Sequence, residues 1–465
     1  MTDPAGKRVT VMGLGRFGGG IGVTRWLASQ GADVLVTDRD PATDLADSIH
    51  RIKDLVDKGS VTLRLGEHNV SDFTACDLVV ASAAVPKPWD NRFLRAAEGA
   101  SIPITTEISL ALEQLLRRGC TRTVGITGSA GKSTTTAMIH HALQTALPDR
   151  TDGRSKVVLG GNIGGSLLEA TDSIDADTRV VLELSSAQLY WLGRTMHTPW
   201  SPRVAVVTNL SPNHLDWHGA LDHYRSSKQE LLKHQRPGDT AVLGPGVWDW
   251  RTLTPARAIE VDPASFPLPI KLPGEHNRFN AAAALEACAA LEPALDRSAL
   301  ARAIAAFGGL AHRLQLVAEA ALPNGGPPVR YYNDSKSTTP ESALKAVEAV
   351  AAAPGGRLGA IHLIAGGYDK GSDLAPIARL APELAGLYTL GATGPALATL
   401  AGGEVRGAFS CATLAAAFDR ARSRLRPGDV LLLSPGCASW DQYVNFEARG
   451  DEFVALVHAA VERTA

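Results

Sequence analysis

The chain has almost no net charge. Its 46 Lys and Arg stand against 48 Asp and Glu, a formal charge of -2. Wrapping nucleic acid or lying on an anionic membrane needs a basic surplus. Neither is an expected partner, although a local basic patch stays open. Cysteine is scarce. Cys76, Cys120, Cys288, Cys411 and Cys437 lie far apart with no CxxC pair. That argues against a zinc site of linked thiolates and against a disulfide framework, and a reducing cytoplasm is the expected location. Long apolar runs are missing too. The longest uncharged stretch, Leu384–Gly403, is broken by Gly386, Gly391, Gly394, Pro395, Gly402 and Gly403. It reads as strand, turn and helix rather than a membrane span. Met1–Thr10 lacks the apolar core of a signal peptide, so no membrane insertion is expected. Aromatics make up only 5% of the residues.

What is present is length, glycine and alternation. At about 150 residues per domain, 465 residues make about three domains. Apolar runs such as Arg8–Met12, Asp33–Thr37, Leu78–Ala81, Thr123–Thr127, Val180–Glu183, Val204–Asn209, Ala360–Ala365, Leu387–Leu390 and Val430–Leu433 are short. Most lead into a polar or Gly-containing turn and then a helical pattern. That alternation predicts α/β units with parallel sheets. The expected division is 1–110, 111–310 and 311–465. The outer two are Rossmann-like, and the central one is a P-loop ATPase-like parallel sheet.

The strongest motif is Gly128-Ser129-Ala130-Gly131-Lys132-Ser133-Thr134. Backbone N–H groups of such a turn cradle phosphate oxygens, and the helix start adds about half a positive charge. Lys132 is placed to reach terminal phosphates, and Ser133 or Thr134 to hold Mg2+. The pattern is a variant, because Ile126 stands where the first Gly is usual and Gly125 precedes it. Gly13-Leu14-Gly15-Arg16-Phe17-Gly18 matches a dinucleotide fingerprint, with Asp38 after the second strand. It says that a diphosphate or nucleotide approaches the turn, or that the turn packs tightly on glycine.

Other candidates are weaker alone. Glu183 ends a buried strand, as a metal ligand, a water-positioning acid or an acid meeting solvent. His214, in Asn209–Asp216, is a metal ligand, a loop-orienting group or a satisfied ring. Lys228, in Tyr224–Lys228, has a surface lysine as its plain alternative. Asn277 and Asn280 open a helix and either read an adenine edge or cap it. Asn333–Thr338 and Ser434–Gln442 follow strands, where doubly wound sheets bind ligands.

The order of these motifs resembles the Mur ligase family over nearly the whole chain, from Gly13 to Phe453. Gly161–Gly164, Leu182–Ser186, His312-Arg313 and Asn333–Lys336 fall in family order as well. Ser434–Gln442 with Asn445-Phe446 is similar to the D-glutamate-adding branch. The resemblance implies three domains that bind a UDP-sugar, ATP with Mg2+, and an amino acid. The implied reaction is ADP-forming. ATP phosphorylates the carboxylate of UDP-N-acetylmuramoyl-L-alanine, and the amine of D-glutamate attacks the acyl phosphate, giving a peptidoglycan precursor. A carboxylate is a poor electrophile, and phosphorylation supplies its leaving group.

By resemblance, Lys132 and Thr134 hold ATP phosphates and Ser133 faces Mg2+, within the loop Gly128, Ser129, Ala130 and Gly131. Glu183 and His214 look like metal ligands. Lys228 looks like the family's carbamylated lysine, an anion able to join the metal site. Asn277 and Asn280 face ATP, and Arg313 and Asp334 complete its site. Gly15, Arg16, Phe17, Asp38 and Ser82 serve the UDP end, and Asn162 the muramoyl part. Lys336, Thr338, Lys370, Ser439 and Phe446 surround the glutamate. A monomer is the default expectation. Three stretches depart from the family's usual residues: Ser82-Ala83-Ala84, Gly18-Gly19-Gly20 and Trp440. The residues alone leave open D- or L-glutamate, since both share two carboxylates and an amine. They also leave open another acceptor on the same fold, an NAD-dependent oxidoreductase and a non-catalytic nucleotide binder.

Overall fold

Among the described residues, seventeen strands, most of them buried on both faces, form three sheets. In the first, β1 (Arg8–Met12), β2 (Asp33–Asp38), β3 (Val61–Leu65), β4 (Leu78–Ala81) and β5 (Ile104–Thr105) are parallel in the order β3-β2-β1-β4-β5. The second holds β6 (Thr123–Thr127), β7 (Val157–Gly161), β8 (Arg179–Glu183), β9 (Val204–Val207), β10 (Thr240–Leu243) and β11 (Arg257–Glu260). It too is parallel, in the order β11-β10-β9-β6-β8-β7. The third holds β12 (Gln315–Ala320), β13 (Val329–Asn333), β14 (Ile361–Gly366), β15 (Gly386–Leu390), β16 (Ala408–Ser410) and β17 (Val430–Leu433), in the order β12-β13-β17-β14-β15-β16. Only its edge strand β12 is antiparallel, to β13. The α/β class and the three sheets agree with the sequence reading.

This computed structural model describes residues 4–15, 18–196, 198–272, 274–323, 325–368 and 372–462. Three of the expected site residues, Arg16, Phe17 and Lys370, lie outside them. By contacts the chain forms two compact units, Met1–Leu268 with Phe279–Ile304, and Pro269–Arg278 with Ala305–Ala465. The first unit therefore carries two sheets. The helix Glu107–Arg117 buries Ile108, Leu110, Ala111, Leu112 and Leu115 in a core that also takes Val9 and Val34 from the first sheet and Val180 and Ala205 from the second.

Parallel strands carry their ligands at their carboxyl ends, where strand order reverses. In the second sheet that place lies beside β6, whose neighbours are β8 and β9. In the third, β13, β17 and β14 are adjacent, so the loops after them share one end. The helix after the first turn starts at Gly19, so Gly19–Gly22 are helical. The low helix propensity of glycine is overridden by close packing. A Cβ on Gly20 would lie 2.4 Å from the Gly13 carbonyl oxygen, and one on Gly22 would lie 2.2 Å from Ser166 Cβ.

Candidate active site

The phosphate loop runs from β6 into the helix Lys132–Ala146. Gly128 and Gly131 both have positive φ, 147° and 81°, which disfavours other residues. A Cβ on Gly128 would also strike Thr208 Oγ1 at 1.9 Å, and one on Gly131 would meet Asn280 Oδ1 at 2.5 Å. The loop is braced from β9's end. Thr208 Oγ1 donates to the Ala130 carbonyl at 2.6 Å, and Ala130 N–H donates to Asn209 Oδ1 at 3.0 Å. Ser129 Oγ accepts from Ser211 N–H at 2.8 Å and shares a bond of 2.9 Å with the Tyr224 hydroxyl. Lys132 Nζ donates to the carbonyls of Gly128 (2.9 Å) and Ser129 (3.2 Å). Ser133 is buried, and Thr134 is half-buried.

Glu183 is not an acid meeting solvent. It is 1% exposed at the end of β8. Asn162 holds it twice, donating from its backbone to the Glu183 carbonyl at 2.8 Å and from Nδ2 to Oε1 at 3.0 Å. Glu183 Oε2 is buried with no hydrogen-bond partner among the described residues. An unpaired buried carboxylate oxygen is costly, and a divalent cation would satisfy it. Among the described residues no group of three or more His, Cys, Asp and Glu converges to hold a metal. An ion here would therefore take most of its ligands from phosphate oxygens, water and Ser133. That donor set fits Mg2+, which uses few protein ligands.

Lys228 is not a surface lysine. It is 1% exposed, on the helix Leu221–Lys233. Its Nζ donates to the Gly128 carbonyl at 2.8 Å, the same oxygen that Lys132 uses, and lies 4.5 Å from the Tyr224 ring centre. Burial first, then the charge of Lys132, pushes its pKa down to about 6, against the opposing pull of Glu183. His214 is exposed and starts a short helix with φ 52°. Partial desolvation and the charges of Lys132 and Lys228 hold its ring below the ordinary histidine pKa. Asn280 meets the first turn of the helix that follows the loop, accepting from Thr135 Oγ1 at 3.3 Å. The helix bearing it and Asn277 begins at Glu275, so neither asparagine is its N-cap.

A cleft of about 200 Å³ lies between the ends of β1 and β4 and the loop after β7. Gly13, Ser82 and Asn162 line it, together with Glu107 and Gln188. Gly15 and Asp38 meet each other instead. Asp38 Oδ2 accepts from Gly15 N–H at 3.0 Å, and Oδ1 accepts from Asp40 N–H at 3.0 Å. The acid of the fingerprint thus braces its own turn. Sequence reasoning missed Glu107, whose carboxylate accepts from Ser166 Oγ at 2.6 Å. Burial, its largest influence, pushes it up to about 7. The Thr106-Glu107 start of an apolar helical run was the available signal.

In the second unit, Asp334 and Ser434 meet where β13 and β17 end. Ser434 Oγ donates to Asp334 Oδ2 at 2.7 Å, and Leu314 N–H donates to Oδ1 at 3.1 Å. Burial raises the Asp334 carboxyl to about 6, against the pull of Ser434 and Arg313. Lys336 Nζ lies 5.5 Å from the Phe446 ring centre. Thr338 is half-buried on the same loop, and Ser439 is buried after β17. The structure so joins Asp334 to the loop after β17 and Lys336 to Phe446, while Ser439 lies further along that loop.

Residues 126–245 match the Mur ligase middle domain, and residues 312–437 match the Mur ligase glutamate ligase domain. A UDP-N-acetylmuramoylalanine–D-glutamate ligase of Roseiflexus sp. (strain RS-1) is 35% identical, covering 98% of this chain and 99% of the relative. Relatives of the same name in Symbiobacterium thermophilum and Pelotomaculum thermopropionicum are 35% and 36% identical. They cover 97% and 98% of this chain and 98% of their own length. In fold, the chain is similar to a crystal structure of UDP-N-acetylmuramate-alanine ligase from Thermotoga maritima. The TM-score is 0.55 at 19% identity, over 98% of this chain and all of that one. With motif order, site geometry and near full-length identity in agreement, the chain belongs to the Mur ligase family.

Proposed function

We infer that this protein is an ATP-dependent ligase that joins D-glutamate to UDP-N-acetylmuramoyl-L-alanine in peptidoglycan precursor synthesis. The observation that carries the reading is the full-length identity to ligases of that name. One end of one sheet supports it by collecting the phosphate loop, buried Glu183 and buried Lys228. We assign 1–110 to the UDP-sugar, 111–310 to ATP and 311–465 to glutamate, in a monomeric cytoplasmic enzyme. Among the described residues no helix is long and apolar enough to cross a membrane.

The substrate carboxylate and the ATP phosphates repel each other, so the chain must supply compensating charge. In this reading, the N–H groups of Gly128–Gly131, the start of the following helix and Lys132 hold the phosphates. Mg2+, when bound, neutralises charge developing on the transferred phosphoryl group. Glu183 and Ser133 would hold it, with His214 nearby, and Asn162 keeps the Glu183 carboxylate in one orientation. A lysine amine reacts with CO2 only when neutral, and the buried Lys228 is mostly neutral at pH 7. A carbamate there would turn that neutral amine into an anion beside Lys132, with release of one proton. Asn277, Asn280, Arg313 and Asp334 serve the nucleotide. Gly13, Ser82 and Asn162 form the cleft for the UDP-muramoyl end. Lys336, Thr338, Ser439 and Phe446 take the amino acid.

An NAD-dependent oxidoreductase would leave the phosphate loop, Glu183 and Lys228 without a task. Phosphate release by the purified protein decides the matter, measured with ATP, UDP-N-acetylmuramoyl-L-alanine and either glutamate enantiomer. Release that requires D-glutamate supports the reading. Release independent of glutamate, or preferring L-glutamate, overturns the specific assignment.

A further inference from the structure

Among the described residues, the largest fully buried side chain is a cation that hydrogen-bonds no carboxylate. Arg449 lies within the first turn of the helix Phe446–Glu462 and is 0% exposed. Its Nε donates to Ser335 Oγ at 3.0 Å. Nη1 donates to the Ala438 carbonyl at 3.2 Å, and Nη2 donates to the carbonyls of Ser335 (2.9 Å) and Cys437 (3.1 Å). Every acceptor is a carbonyl or a hydroxyl. Burying an unpaired charge is expensive unless its protons are satisfied, so these four bonds are strongly constrained.

The acceptors belong to two loops. Ser335 sits between Asp334 and Lys336, after β13. Cys437 and Ala438 directly precede Ser439, after β17. A third loop closes on the same group. Gly367, after β14, has φ 145°, and a Cβ there would come 3.1 Å from Arg449 Nη1 and 2.2 Å from the Ala438 carbonyl oxygen. Tyr368 N–H donates to that oxygen at 2.9 Å. Ser335 Oγ in turn donates a hydrogen bond to the Phe446 carbonyl at 2.8 Å, and the Phe446 ring lies under Lys336.

We propose that Arg449 is a positioning residue for an anionic amino-acid substrate, holding three strand-end loops so that Lys336, Ser439 and Phe446 face one ligand. This rests on the reading above that those residues surround glutamate. The guanidinium suits the task for two reasons. Its planar fork reaches several acceptors at fixed angles, which a lysine ammonium cannot copy. It also stays protonated at neutral pH although burial lowers its pKa to about 10, so it adds a fixed positive charge behind the loops.

The test uses the full chain carrying Arg449→Lys, Ser335→Ala or Lys336→Ala. Arg449→Lys is expected to raise the KM for D-glutamate by about tenfold or more while the KM for ATP stays within about twofold. Ser335→Ala should shift it in the same direction by less. Amide hydrogen exchange at 335–338 and 437–439 should quicken in Arg449→Lys. An unchanged glutamate KM in a folded Arg449→Lys overturns the proposal. So does a parallel decline of every kinetic parameter with the melting temperature, the mark of a purely structural role. Lys336→Ala separates the two layers. If it leaves the glutamate KM unchanged, the placement of glutamate fails, and Arg449 is judged on exchange alone. Quicker exchange then keeps its loop-holding role, and unchanged exchange removes it.

Discussion

Each unit buries one cation beneath its strand-end loops, and the two solve the problem of burial in opposite ways. Lys228 and Arg449 are both almost fully hidden, and both bond to loop carbonyls, with no carboxylate hydrogen-bonded to either among the described residues. Burial drives the Lys228 amine down to about 6, so at neutral pH it sheds its proton and becomes a nucleophile. Arg449 falls only to about 10 and remains charged. A lysine escapes desolvation by titrating, whereas an arginine must be solvated by the protein itself. The first device produces a reactive group. The second produces a fixed strut.

Exchanging the two devices should have the largest effect. Lys228→Ala is expected to lower phosphate release by about a thousandfold, the scale of losing a charge-stabilising group in an active site. Short-chain carboxylates should restore part of it by standing in for a carbamate. Lys228→Arg should be equally inactive and should not respond to carboxylates, because a guanidinium neither discharges nor reacts with CO2. Normal turnover in either variant removes the carbamate role.

Asn162 offers a smaller test in the first unit. Its side-chain amide donates the hydrogen bond that fixes Glu183 Oε1. Asn162→Ala should lower activity by about 10–100-fold, as the loss of a group that orients a metal ligand does. The Mg2+ concentration for half activity should rise with it. If only the KM for the UDP-muramoyl substrate moves, Asn162 is a substrate contact and Glu183 needs no brace.

The chemistry was legible where it is local. β6 and the phosphate loop were read to the residue, because an apolar run passes straight into required glycines. The apolar runs leave out β3, β5, β7, β10, β11, β12 and β16. β12 is a half-buried antiparallel edge strand, and its apolar alternation is weak. The burial of Lys228 was not legible either, since its helix reads as polar around it. The bonds that matter most at the sites join distant residues. Asn162 and Glu183 are 21 positions apart, and Ser335 and Arg449 are 114 apart. No local pattern encodes such pairs. Asp38 shows the converse, a motif residue read as a ligand contact whose carboxylate braces its own loop.

Glu107 extends the comparison to an acid, with the smallest expected effect. Burial drives an amine's pKa down and a carboxyl's up, so the acid, like Lys228, adapts by losing its charge. In the unfolded chain the carboxyl titrates near about 4.3. In the fold it titrates at about 7. Between those values the folded form keeps a proton that the unfolded form has released. Its contribution to stability is therefore present below the window and lost as pH rises through 7. Glu107→Gln keeps an acceptor for Ser166 Oγ but cannot ionise. Its melting temperature relative to the parent should climb between pH 5 and pH 8 by about 2 °C, allowing for the size of the unit. The Ser166 bond, which favours the ionised form, sets the limit on this gain. A constant difference across that range would mean that the cleft already solvates the Glu107 charge.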